Sequence, residues 1–137
     1  MSFAARLFAS KFLRFAAVGT VGFLVNAALL AFGLRVLGLD PYSAGIISFL
    51  GTVTFTWWGN RVFTFADAVN TDRRALEWGR FLAVNGVGAL LNYAVYAGLI
   101  TFAPGPIDNP FVALAVGSLS GLVFNFLGSK RFVYRGS

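Results

Sequence analysis

Residues 14–26 read RFAAVGTVGFLVN, and residues 80–92 repeat most of that pattern as RFLAVNGVGALLN. A second shared block follows each copy, because DPYSA at residues 40–44 corresponds to NPFVA at residues 109–113. The sequence therefore predicts one domain, residues 1–137, made of two related halves, about residues 12–65 and 78–134.

The composition indicates a membrane protein. Hydrophobic residues make up 58% of the 137 residues and charged residues only 12%, and the mean hydropathy is +0.76. A soluble chain of this length could not bury that much apolar surface in one core. The chain contains no Cys and no His, which excludes thiol nucleophiles, disulfides, imidazole bases and the usual zinc sites. We therefore expect no metal site and no cofactor.

Four apolar stretches are long enough to cross the hydrocarbon core of a bilayer, which is ~30 Å thick and needs about 20 helical residues. They are residues 15–37, 43–62, 81–102 and 111–128. Because a backbone in lipid must satisfy its own hydrogen bonds, each stretch is predicted to be a helix. Asp40 and Asn109, each followed by Pro, are typical N-caps for the second and fourth helices. The predicted fold class is an all-α membrane protein with four transmembrane helices.

The basic residues indicate how these helices are oriented. All but Arg35 precede the first span, surround the loop between the second and third spans, or follow the fourth span. They are Arg6, Lys11, Arg14, Arg61, Arg73, Arg74, Arg80, Lys130, Arg131 and Arg135. Positive charge is retained on the cytoplasmic side, so both termini and the middle loop are expected to be cytoplasmic. The halves are then two parallel-repeat helical hairpins with outward tips at about residues 38–42 and 103–111, and residues 71–78 are expected to form a short interfacial helix.

Aromatic residues cluster at the same cytoplasmic level. Aromatic side chains such as Trp and Tyr favour the membrane–water interface. The sequence therefore predicts an anchoring belt formed by Trp57, Trp58, Phe63, Phe65, Trp78, Phe132 and Tyr134.

Small and polar residues form one stripe along each predicted helix, since residues three or four apart share a helix face. The stripes contain Gly19, Gly22 and Asn26; Ser48, Thr52, Thr56 and Asn60; Asn85, Gly88 and Asn92; and Gly117, Gly121, Asn125 and Ser129. Two interpretations stay open. Such residues allow close packing and hydrogen bonds between helices, but polar groups in membranes also face cavities and substrate paths. The candidate contacts to a hydroxyl-rich ligand are Asn26, Asn60, Asn85, Asn92 and Asn125.

Basic residues at the cytoplasmic span ends would suit an anionic lipid head group beside this polar stripe. The candidate ligands of a lipid phosphate are Arg14, Arg61, Arg80, Lys130 and Arg131. Arg14 corresponds to Arg80, and Arg61 to Lys130, in the two halves. The alternative for each cation is simple topological anchoring.

Several functions are disfavoured by missing residues. No Asp or Glu lies within a predicted span, whereas proton relays and ion-coupled pumps normally need one. No Gly-rich phosphate loop with a Lys is present, which argues against ATP hydrolysis. No nucleophile and base arrangement is visible, so we expect no enzyme activity and no catalytic residues. Nucleic acid is not expected as a partner, because membrane topology already accounts for the cations.

Short motifs occur at the span ends in a regular order. They are Arg14-Phe15-x-x-Val18-Gly19, Asn60-Arg61-Val62-Phe63-Thr64-Phe65, Arg80-Phe81, Asn125-Phe126 and Lys130-Arg131-Phe132-Val133-Tyr134. Their order and spacing, over essentially the whole chain, resemble the GtrA-like family of small four-helix membrane proteins. That family is also similar to the membrane domains of polyprenol-phosphate mannosyltransferases.

This resemblance implies a multi-pass protein of the plasma membrane, the inner membrane in bacteria, that acts in cell-surface polysaccharide synthesis. The expected function is flippase-like translocation of a polyprenyl-phosphate-linked sugar, with the asparagines as sugar contacts. The alternatives are a non-catalytic scaffold or anchor for a polyprenyl-phosphate glycosyltransferase, and binding or recycling of the bare polyprenyl phosphate. Expected partners are that lipid, membrane lipids, a glycosyltransferase and further copies of the chain in a dimer or larger homo-oligomer. Thr56-Trp57 stands where the second half has Asn125-Phe126, so we expect the ligand in the second half.

Overall fold

The computed structural model describes residues 2–68, 73–102, 105 and 109–135. Four α-helices dominate that part of the chain, and it contains no strand. Their bounds are Phe3–Arg35 for α1, Pro41–Gly59 for α2, Arg74–Phe102 for α3 and Pro110–Gly128 for α4. Two π-helical turns of 5 residues extend the even-numbered helices: the first π-turn, Asn60–Thr64, follows α2, and the second, Ser129–Val133, follows α4. The predicted all-helical fold class is confirmed.

Three helical segments are long and apolar enough to cross a membrane: Ser10–Arg35, Arg74–Phe102 and Pro110–Val133. Within the described residues, α2 does not reach the same hydropathy, because its 19 residues include Ser, Thr, Gly and Trp at many positions. The chain is thus a membrane protein with four helices. A span formed by α2 and the cytoplasmic position of both termini stay predictions.

Two helices begin earlier than predicted. α1 starts at Phe3 rather than near residue 15, and α3 starts at Arg74 rather than near residue 81. Neither added segment contains Pro, and both contain Ala, Leu and Arg, which favour helix. The helix predicted over residues 71–78 is present from residue 74 onward, but as the first turns of α3 rather than as a short helix of its own. Residues 71 and 72, and most of the tip predicted at residues 103–111, lie outside the described residues.

The predicted N-caps are confirmed. Asp40 Oδ2 accepts hydrogen bonds from the amides of Tyr42 and Ser43, each at 3.0 Å, and Asn109 Oδ1 accepts one from the amide of Phe111 at 2.8 Å. These bonds satisfy backbone donors that a helix start leaves unpaired. Hydrogen bonds from the side chain and the backbone of Ser43 also lower the pKa of the Asp40 carboxyl from its usual value.

The chain divides into two compact units, residues 1–72 with 134–137 and residues 73–133. The first unit contains α1, α2 and the first π-turn, and the second contains α3, α4 and the second π-turn. The first unit contains residues 12–65, and the second contains residues 78–133 of the second predicted half, while Tyr134 belongs to the first unit.

The helices of the first unit approach each other at glycines. A Cβ built on Gly33 would lie 3.2 Å from the Cβ of Ala44, and one built on Gly59 would lie 3.1 Å from Cγ1 of Val18. The end of α1 thus meets the start of α2, and the end of α2 meets the middle of α1. This order defines an antiparallel hairpin.

The second unit uses the same packing. A Cβ built on Gly128 would lie 2.8 Å from Cγ1 of Val84, a pair that corresponds in sequence to the last contact of the first unit. Gly117 lies closer still to α3, because a Cβ there would lie 2.7 Å from the backbone oxygen of Asn92. The contact of Gly59 with Val18 thus recurs as that of Gly128 with Val84, whereas Gly117 corresponds to Ser48 in the first half.

Gly117→Ala is expected to destabilise the second hairpin, because the added methyl group would meet a backbone oxygen that can move only if α3 moves. Overpacking of this kind costs about 1–3 kcal/mol, and thermal unfolding in mild detergent would measure the loss. Gly86→Ala is the matched control, since no atom lies within 4 Å of a Cβ built there. Equal melting temperatures for Gly117→Ala and the wild type would contradict the close approach.

Candidate functional site

Both hairpins end in a π-turn that places a basic residue second. The first π-turn begins with Asn60 and Arg61, and the second begins at matched positions with Ser129 and Lys130. π-Helical turns are rare and are found frequently at functional sites. Each π-turn, with the polar residues that precede it in its own hairpin, is therefore a candidate site. Sequence reasoning placed the cations here but missed the π geometry, because each π-turn ends its helix and no helical residues follow in which a shifted apolar pattern could be seen.

Two side chains of the first π-turn, Asn60 and Thr64, pair with each other. Thr64 Oγ1 donates a hydrogen bond of 2.6 Å to Asn60 Oδ1, and both residues are buried. Arg61, the cation of this turn, is also buried. Asn60, one of the predicted sugar contacts, is thus already engaged inside its own turn.

The second π-turn is built differently. Ser129 is fully buried, and its Oγ has no hydrogen-bond partner among the described residues. Val133 stands at the position that corresponds to Thr64, so this turn lacks the hydroxyl that closes the first turn. Lys130 is half-buried and Arg131 is exposed.

The remaining predicted sugar contacts take different positions within their own hairpins. Asn26 Oδ1 accepts a hydrogen bond of 3.3 Å from Thr52 Oγ1, which joins α1 to α2. Asn85 Nδ2 donates to the backbone oxygen of Phe81 at 2.9 Å and so bonds within α3. Asn26 therefore contributes to helix packing, which is one of the two interpretations that the sequence left open.

Asn92 and Asn125 both lie between α3 and α4. Asn92 packs against Gly117 and Gly121, and the side-chain oxygen of Asn125 lies against Gly88. That oxygen is buried and has no hydrogen-bond partner among the described residues. The structure thus brings these two asparagines together in the second hairpin, where one of them retains an unused acceptor.

The predicted phosphate ligands differ in exposure. Arg14 is exposed, and its guanidinium lies over the ring of Phe63 at 5.3 Å from the centroid. Phe63 belongs to the first π-turn, so this contact brings Arg14 beside the turn that contains Arg61. In the second unit, Arg80 is half-buried like Lys130.

An ion pair near the first π-turn was not predicted. Lys11 Nζ lies 3.0 Å from Asp67 Oδ2 and joins the start of α1 to the residues that follow the turn. No group of three or more His, Cys, Asp or Glu side chains that could hold a metal ion occurs in the described part of the chain. The site therefore offers cations, amides and hydroxyls as its chemistry.

Two members of the predicted aromatic belt are core residues. Phe65 and Tyr134 are fully buried and stack at 4.7 Å between centroids with 13° between the ring planes. The Tyr134 hydroxyl donates a hydrogen bond of 2.7 Å to the backbone oxygen of Trp57, and Phe15 packs edge-on against Phe65 at 6.3 Å. For Phe65 and Tyr134 the prediction of interfacial anchoring is wrong, since ring stacking buries them.

The sequence model of the family described as GtrA/DPMS, transmembrane domain, matches residues 14–134. The matched segment begins at Arg14, ends at Tyr134 and includes both π-turns. No curated protein sequence matches the chain.

Tyr134→Phe is expected to lower stability by about 0.5–1.5 kcal/mol, the usual net value of one hydrogen bond. The stack on Phe65 is retained in this variant, so the loss isolates the bond to the Trp57 carbonyl. Tyr93→Phe provides the control, because Tyr93 is 69% exposed. Chemical unfolding in detergent, followed by Trp fluorescence, would measure both variants. Equal losses for the two would show that the Tyr134 hydroxyl contributes nothing specific.

Proposed function

The chain belongs to the GtrA/DPMS transmembrane-domain family, and on this basis we propose that it moves a polyprenyl-phosphate-linked sugar across the membrane, in the manner of a flippase, for cell-surface polysaccharide synthesis. The observation that carries the proposal is the family match over residues 14–134, which spans both hairpins and both π-turns. The proposal assigns the chain no catalytic step of its own.

The placement of the cations supports this proposal. Each hairpin ends with a basic residue in a π-turn, and Arg14 lies beside the first of these turns. Lys and Arg side chains at a membrane surface attract anionic lipids, and their bonds to phosphate oxygens are charge-assisted. The phosphate of the lipid would therefore bind at a hairpin end, with its sugar toward the polar residues of α3 and α4.

The distribution of acidic residues supports passive transport. α1, α2 and α4 contain no Asp or Glu, and α3 contains only Glu77 in its first turn. Ion-coupled transporters normally use acidic or His side chains inside the membrane. We therefore propose that the lipid-linked sugar moves down its own gradient.

Lys130→Gln is expected to slow transport about tenfold or more, because a hydrogen bond to a charged group contributes about 1.5–3 kcal/mol and 1.4 kcal/mol is a factor of about ten. The measurement is uptake of a labelled polyprenyl-phosphate glucose into the lumen of reconstituted vesicles. Arg35→Gln is the matched control, since Arg35 lies at the opposite end of its hairpin.

Two results would contradict this proposal. Wild-type uptake equal to that of protein-free vesicles would exclude transport of this lipid. Equal uptake by Lys130→Gln and Arg35→Gln would exclude a role of Lys130 in phosphate binding and leave topological anchoring as its function.

A scaffold for a polyprenyl-phosphate glycosyltransferase is the second candidate, and one observation favours it. Asn26, Asn92 and Asn125 lie between the helices of their own hairpins, as expected of polar residues that serve packing. Co-purification in mild detergent would test this role, and the absence of any cytoplasmic glycosyltransferase would count against it. The transport assay separates binding or recycling of bare polyprenyl phosphate from the flippase role, and the co-purification separates it from the scaffold role.

We also propose a dimer or larger homo-oligomer. Two short hairpins leave little room for a substrate path within one copy of the chain. Mass measurement of the protein in a lipid environment would test this, and a uniform monomer would overturn it.

A further inference from the structure

The two hairpins differ in how they satisfy equivalent polar side chains. Thr56, Asn60 and Thr64 in the first hairpin correspond to Asn125, Ser129 and Val133 in the second. The first set is closed: Thr56 Oγ1 donates to the backbone oxygen of Thr52 at 3.0 Å, and Thr64 Oγ1 donates to Asn60 at 2.6 Å. The first hairpin thus pairs the hydroxyl groups of Thr56 and Thr64 within itself.

In the second hairpin, side-chain oxygens at two of the corresponding positions lack a hydrogen bond. Asn125 Oδ1 and Ser129 Oγ are both buried without a hydrogen-bond partner among the described residues. The backbone amide of Ser129 donates to the backbone oxygen of Asn125, so the two side chains are one helical turn apart on the same face of α4. Val133 cannot donate a bond to Ser129 as Thr64 does to Asn60.

Two unpaired polar atoms on one buried face are unusual. Buried polar groups in folded proteins nearly always have a partner, and an exception calls for an explanation such as a ligand. The Cα of Gly88 lies against Asn125 Oδ1, but a Cα–H group is only a weak donor. An amide oxygen has two lone pairs and a hydroxyl can both donate and accept, so this pair retains the capacity to bind neighbouring hydroxyl groups.

We propose that Asn125 and Ser129 form a hydroxyl-binding subsite for the sugar of the lipid-linked substrate, and that only the second hairpin carries it. Asn125 Oδ1 accepts a hydrogen bond from one sugar hydroxyl, and Ser129 Oγ bonds a neighbouring one. Lys130 follows Ser129 directly in the second π-turn, so the proposed phosphate ligand is the chain neighbour of one of the two sugar ligands. This inference rests on the proposed function and assigns its sugar-recognition step to one half of the repeat.

The test uses Val133→Thr, which keeps the shape of the side chain and adds the hydroxyl that the first π-turn possesses. That hydroxyl is expected to donate a hydrogen bond to Ser129 Oγ, as Thr64 Oγ1 does to Asn60 Oδ1. Ser129→Ala removes the same binding group in a second, independent way. Val123→Thr is the matched control, because it adds the same hydroxyl at a position of α4 that is 39% exposed.

The measurement is the Kd of the full chain in lipid nanodiscs for polyprenyl phosphate and for polyprenyl-phosphate glucose, mannose and galactose. Wild-type protein is expected to bind at least one glycosylated lipid about tenfold more tightly than the bare phosphate, as two added hydrogen bonds would allow. Val133→Thr and Ser129→Ala should each reduce that ratio by about threefold or more, without weakening binding of the bare phosphate. Val123→Thr should leave the ratio unchanged.

The possible failures can be told apart. If the wild type binds every polyprenyl lipid no better than phosphatidylglycerol, the proposed function fails. If it binds them but Val133→Thr and Ser129→Ala leave the ratio unchanged, the subsite is wrong and the phosphate site stands. A higher melting temperature for Val133→Thr with an unchanged ratio would show that Ser129 can be paired without any effect on sugar binding, and would overturn the proposal.

Discussion

The close approach of two antiparallel helices within each hairpin is the constraint on which the rest of the structure depends. Gly59 and Gly128 stand where a Cβ would crowd Val18 and Val84, and Gly117 stands where it would crowd the backbone of α3. In lipid, an apolar side chain gains little free energy by moving from the lipid tails to a neighbouring helix. The association of two helices therefore depends on van der Waals contact at short range and on hydrogen bonds. Glycine permits both kinds of interaction, because it lets the helices approach until a polar side chain reaches the neighbouring helix.

The same constraint determines what a polar side chain in these hairpins can do. Where the helices are close, the hydroxyl of a Thr donates a hydrogen bond to the backbone of its own helix, as Thr56 does. An Asn is one atom longer and directs its oxygen across the interface, as Asn125 does toward Gly88. The exchange of Thr56 for Asn125 at matched positions therefore replaces a paired hydroxyl with an amide oxygen that has no hydrogen-bond partner among the described residues.

The large elements could be predicted from the sequence, and the local geometry of the site could not. Apolar length identifies the helices, and Asp40 and Asn109 mark two helix starts because a cap depends only on neighbouring residues. A π-turn is defined by the carbonyl oxygen to which each backbone amide donates its hydrogen bond, and the pattern of apolar residues does not indicate that choice. The cations of the site were predicted from charge placement, whereas the open Ser129 was missed. A comparison of Thr64 with Val133, which stand at matched positions of the repeat, could have indicated that Ser129 lacks the partner that Asn60 has.

A repeated hairpin has a consequence that a single hairpin lacks. Two copies of one packing solution mean that one copy can keep its polar groups paired while the other leaves them open. The first hairpin pairs Asn60 with Thr64 inside its π-turn, and it also receives the stacked ring and the hydroxyl bond of Tyr134. Tyr134 thereby adds a fully buried ring to the core of the first unit. The second hairpin shares the glycine contact beside its π-turn but has Asn125 in place of Thr56 and Val133 in place of Thr64. Asn125 Oδ1 and Ser129 Oγ, one helical turn apart on α4, are left without a hydrogen-bond partner among the described residues.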